Sequence, residues 1–171
     1  MASEPGWSPA VPESVHVMRE DQEGTASAIY GVIIGAAVMS ASHAESAAKL
    51  VVAVLVTLTI YWGAERYARI VAERIHEGHH PNWTSVRHQL THGWEMVTAS
   101  GLPLTVLALL TVLGTELYAA VIAALVTSTI LLAVAGWSMG RGSLSTRERA
   151  VSAMVAAMFG AMFVVLKSFL H

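Results

Sequence analysis

The sequence predicts an all-α integral membrane protein, a bundle of five transmembrane helices, on three observations. Of its 171 residues, 54% are hydrophobic and only 13% are charged, about half the roughly 25% charge of a soluble domain. The charges are also crowded into a few places. Uncharged stretches run from Gly24 to Ser42, Leu50 to Ala64, Met96 to Thr115, Leu117 to Gly140 and Ala150 to Leu166. A helix needs about 20 apolar residues to cross the roughly 30 Å hydrocarbon core, and five such segments exceed what one small soluble core can bury. Finally, the runs are too long for a transmembrane β-barrel and lack its alternation.

The elements follow in order. Residues 1–24 hold three prolines and an acidic cluster and read as a mobile tail. No basic region precedes the first apolar run, so no secretory signal is expected. The five spans are expected near 25–43, 47–72, 93–114, 116–139 and 148–169. The second should continue past the membrane surface, because Glu65, Arg69 and Glu73 at i, i+4, i+8 let opposite charges pair along one helical face. Gly78 and Pro81 mark its end. In the third, Pro103 removes a backbone bond and predicts a kink; Thr98, Ser100 and Gly101 make that part of the helix polar and irregular, a pointer either to a substrate path or to a purely structural bend.

The connections fix an expected orientation. The turns "SHAES" and "GTE" carry no Lys or Arg, whereas the connection 73–92 and "GRGSLSTRER" carry Arg74, Arg87, Arg141, Arg147 and Arg149. Short Lys/Arg-rich loops stay cytoplasmic, which places the N-terminus inside and the C-terminus outside. Lys167 and His171 then fall at the outer end, where a lysine can snorkel to the interface.

Small residues mark the faces that should pack, since helices in lipid associate where their backbones approach closely. Gly31 and Gly35 form a GxxxG in the first span. Ser152, Ala156 and Gly160 make one stripe of the fifth, beside Ala153, Ala157 and Ala161. Packing within the bundle is the first expectation for both faces, and a homodimer or membrane partner the alternative. Met154, Met158 and Met162 form a further stripe, read as adaptable packing before copper guidance.

Chemistry concentrates in "RIHEGHHPNWTSVRHQLTHGWE", residues 74–95, with five of the eight histidines. His88, His92 and Glu95 share one face of any helix that starts before residue 88. His76, His79 and His80 end the preceding helix on the same side. Imidazole and carboxylate suit Zn, Fe or Mn. A solvated loop and a proton sensor are the competing readings, and Trp83 and Trp94 fit an interfacial belt. Met39, His43, Glu45 and Glu65 are the further residues of a possible translocation path, because ionisable groups at span edges are functional suspects. Glu65 follows an uncharged run of about 22 Å at 1.5 Å per residue. The boxes His76-x-x-His79-His80 and His88-x-x-x-His92 resemble those of membrane fatty-acid desaturases and hydroxylases, which hold two irons, but that likeness spans only this segment. No catalytic residue is assigned. The chain has no cysteine, which excludes disulfides and thiolate metal sites, and nothing points to nucleic acid.

The layout as a whole is similar to the vacuolar iron transporter family, carried by the first span "IYGVIIGAAV", the projecting "GAERYARIVAERIHE" and the small-residue "SAMVAAMFGAM". The resemblance implies five spans, a cytoplasmic N-terminus, a second helix that projects into the cytoplasm and a metal-collecting segment before the third span. The family's acidic ligand is missing from the first span here, and its glutamate-rich collecting domain is replaced by the histidine-rich connection. The functional expectation is therefore a divalent-metal or proton-coupled transporter in a bacterial-type cytoplasmic membrane. The alternative is a non-transporting accessory protein acting through helix–helix contacts. Transport predicts a polar cavity joining Glu65 and Glu95 to His43; the accessory role predicts a dry bundle.

Overall fold

The computed structural model describes residues 13–77, 95–138 and 145–170. Their only regular structure is helix: α1 Glu13–Ala41, α2 Ala47–Glu77, α3 Glu95–Ala99, α4 Gly101–Val112, α5 Leu117–Ser138 and α6 Thr146–Phe169. Four are long and apolar enough to cross a bilayer, over Gly24–Ala41, Ala47–Ala68, Leu117–Ser138 and Thr146–Phe169. The stretch Met96–Val112 is apolar but shorter. These helices fit a multi-pass membrane protein, with α3 and α4 together standing where the third of five spans was expected.

Two helix boundaries carry information. α1 begins at Glu13, so the latter part of the segment read as a tail is a helical extension of the first span. α2 has 31 residues, about 46 Å at 1.5 Å per residue, well beyond the roughly 30 Å core. Its described part runs to Glu77, and the expected stop at Gly78 and Pro81 lies outside the described residues.

α1 is the central helix, packing against α2, α3, α5 and α6. α2 lies on one flank, against α1, α3 and α4; α6 lies on the other, against α1 and α5. On α2 the buried positions Leu50, Val54, Leu58 and Arg66, with half-buried Trp62 between them, follow a single i+4 row. Such a row is the ridge that fits a neighbouring helix's groove. Met39, Leu107, Ala124 and Leu125 complete the closed middle of the core.

The third segment breaks at Ser100 because of Pro103. The proline ring collides with the carbonyl four residues back, on Ala99, and offers it no N–H. Ser100 sits in the break and its hydroxyl donates 2.8 Å to the Gly31 carbonyl of α1. α1 can come this close because residue 31 has no side chain: a Cβ there would lie 2.0 Å from the Met96 carbonyl oxygen. α4 ends in a Schellman turn. Gly114 has φ +84°, and the N–H groups of Gly114 and Thr115 donate to the Thr111 and Leu110 carbonyls at 3.1 and 3.0 Å. That left-handed residue lets the last carbonyls of the helix find partners.

α5 and α6 form the tightest pair, an antiparallel hairpin. Gly160 faces Thr129, and Gly136 faces the Ser152 carbonyl and Ala153. α6 starts with a capping box in which Ser145 and Glu148 satisfy each other's backbone N–H groups. Hydroxyls that lie inside the spans are silenced locally. Those of Thr57, Thr59, Thr105, Thr127, Ser128 and Thr129 each donate to the carbonyl four residues earlier, which removes the cost of an unpaired polar group in hydrocarbon.

Candidate functional site

The expected metal cluster divides between described and undescribed residues. His79, His80, His88 and His92 lie outside the described residues. His76 falls in the last turn of α2, and Glu95 opens α3. Both helix termini belong to the same end of the bundle, since α2 and α3 pack together there. Among the described residues no group of three or more His, Asp or Glu side chains is placed to hold a metal ion.

The four path residues do not share a cavity. Met39 is a core side chain, 1% exposed. His43 is exposed in the turn between α1 and α2. Glu45 stands on the surface with its side chain 82% exposed, in an ion pair with Lys49 at 2.5 Å one helical turn away. Glu65 is half-buried on α2 toward the opposite end. Between the levels of Glu65 and His43 the buried side chains of Leu50, Val54, Leu58, Met39 and Leu107 fill the interior.

The structure buries two cations that the sequence left among exposed or snorkelling groups. Arg66 is 7% exposed and continues the buried row of α2. Its phase is legible in the sequence, since 50, 54, 58, 62 and 66 are evenly spaced, whereas Glu65, Arg69 and Glu73 mark a charged face beside it. Lys167 is 4% exposed and its Nζ donates 2.8 Å to the Ser42 carbonyl, just past the end of α1. With Leu117, Tyr118 and Val121 it lines a small pocket of about 100 Å³. No local pattern around residue 167 marks it as inward-facing. Only the docking of α6 beside α1 does.

Three apolar grooves open on the lipid-facing side. The first, about 350 Å³, runs between α1, α5 and α6 past Ile33, Gly136 and Phe159. The second, about 180 Å³, lies between α1, α3 and α5. The third, about 590 Å³, follows the outer face of α6 along Val155, Met158, Met162 and Val165. The methionine stripe is therefore outward-facing.

The chain matches no protein-family model, no curated protein and no solved structure.

Proposed function

We propose that this chain is a non-transporting membrane protein, a packed helical scaffold whose histidine-rich connection 73–92 gathers a divalent metal. The observation that carries this reading is the filled interior between Glu65 and His43. Where transport calls for a polar cavity, the buried side chains of Met39, Val54, Leu58 and Leu107 stand instead. The Arg content of connections 73–92 and 140–149 supports a cytoplasmic location for both, with the long extension of α2 as the arm that carries His76 away from the bilayer.

The test joins metal content to flux. Detergent-purified protein should carry stoichiometric Zn, Fe or Mn, and replacing His76, His79, His80, His88 and His92 by Ala should remove it. Liposomes containing the intact protein should show no metal or proton flux above empty liposomes. Metal-free wild type would sink the gathering role, and protein-dependent flux would sink the non-transporting one.

One observation favours transport as a second reading. The α3–α4 break lies inside a span, and irregular backbone at membrane depth is the usual material of transporter sites. Transport of the kind implied by the vacuolar iron transporter resemblance would need a second conformation in which the plug around Leu58 and Leu107 parts. The same flux assay separates the two readings.

A further inference from the structure

We propose that the groove between α1, α5 and α6 is a binding site for an anionic phospholipid, with an acyl chain in the groove and the phosphate on Arg149. Four observations meet there. The groove holds about 350 Å³ and is walled by Ile29, Ile33, Leu132, Val155 and Phe159, within the roughly 300–1,000 Å³ of ligand pockets. Its floor is hollowed by the small residues Gly136, Ser152 and Ala156, and the first two are already in backbone contact.

A cation stands at its head. Arg149 lies one helical turn before Ser152, and Trp137 directly follows Gly136. The guanidinium stacks over the Trp137 ring at 4.8 Å from its centroid, and Nε donates 3.0 Å to the Trp137 carbonyl. Those two contacts fix the plane of the guanidinium. Among the described residues its terminal N–H groups have no acceptor, so they are free for the two-pronged bond that guanidinium makes to phosphate. The adjacent carboxylate does not quench them: Glu148 accepts instead from the Ser145 N–H and hydroxyl, each at 2.8 Å. Arg147, exposed on the same turn, adds positive charge.

The length fits a single leaflet. From Arg149 to Phe159 the helix rises about 15 Å at 1.5 Å per residue, half of the roughly 30 Å core. A headgroup at the level of Arg149 and Trp137, where cations and indoles settle at a membrane surface, therefore places one chain along the whole groove. Basic residues at the mouths of clefts between transmembrane helices are the expected receivers of anionic headgroups. A second copy of the chain would fill the apolar groove but would leave the guanidinium without its phosphate.

The experiment is lipid retention by the full chain, taken from nanodiscs of phosphatidylcholine with a minor fraction of phosphatidylglycerol and read by native mass spectrometry. The wild type should keep one phosphatidylglycerol, preferred about fivefold over phosphatidylcholine, as one cation near an anionic surface gives. Arg149→Gln should erase the preference, and Arg149→Lys should keep part of it. Ala156→Phe, which fills the groove, should release both lipids. Excess inorganic phosphate should displace neither. The proposal is overturned if Arg149→Gln retains the wild-type preference, if free phosphate competes the lipid away, or if the chain emerges as a lipid-free dimer. Because Arg149 is half-buried at the start of α6 and outside the packed core, its variants keep the test decisive even where Ala156→Phe fails to fold.

Discussion

Lys167 Nζ donates to the carbonyl oxygen of Ser42 at 2.8 Å, tying residues 125 positions apart. Ser42 follows Ala41, the last residue of α1, so the ammonium stands on the end of a helix whose final carbonyls lack intrahelical donors. The negative end of the helix dipole adds to the attraction. A lysine that could have snorkelled to water is instead the clasp between the last helix and the first.

Lys167→Met keeps the apolar stem of the side chain and removes only the donor. Hydrogen bonds from charged groups contribute about 1.5–3 kcal/mol, so the variant should melt lower in detergent, with the loss confined to the contact of α6 with α1. Thermal unfolding of the two proteins side by side measures it. An unchanged melting temperature would mean that desolvation of the ammonium cancels the bond.

The approach of α1 to α3 ranks three substitutions. Gly31→Ala puts a methyl 2.0 Å from the Met96 backbone oxygen, which neither helix can avoid without moving, and should be severely destabilising. Ser100→Ala removes one hydroxyl bond and should cost about 0.6 kcal/mol, the typical value between membrane helices. Gly35→Ala meets the Ser100 hydroxyl at 3.2 Å and should fall near the milder of the two. Midpoints of detergent-to-denaturant unfolding would give the order.

The α5–α6 hairpin gives a matched pair of alanine substitutions. At Gly160 a methyl would stand 2.6 Å from the Thr129 Cα, so Gly160→Ala must push the helices apart. At Gly63 nothing lies within 4 Å. Gly63→Ala should stabilise by up to about 1 kcal/mol, the helix-propensity difference between the two residues. Opposite shifts in melting temperature are the expected result.

Glu45→Gln breaks the ion pair with Lys49, whose partners are 82% and 66% exposed. Exposed pairs of this kind contribute about 0.2–1 kcal/mol, and often nothing measurable. Its melting temperature should stay within error of the wild type, and any protein-dependent flux in liposomes should be unaffected. A large loss of either would restore Glu45 to the functional residues.

Span lengths and the places where helices stop were legible in the sequence, because both are local. Hydropathy over about 20 residues decides whether a helix can cross hydrocarbon, and Pro103 acts on its own few residues of backbone. The sequence therefore determined a multi-pass helical protein, the extension of α2 beyond a single span and the disturbance near Pro103. It did not determine which way each helix turns. Met39 and Glu45, six residues apart and both placed on a path, went respectively into the core and onto the surface. Arg66 turned inward while Glu65 beside it stayed half-buried. In a membrane protein the polar groups of a span are paired by whatever helix docks against it, and the docking is settled by close fits such as Gly31 on Met96 and Gly160 on Thr129. Those fits are made between residues dozens of positions apart, so the tertiary structure alone decided that Lys167 would clasp α1, and that Arg149 would stand fixed at the head of a groove.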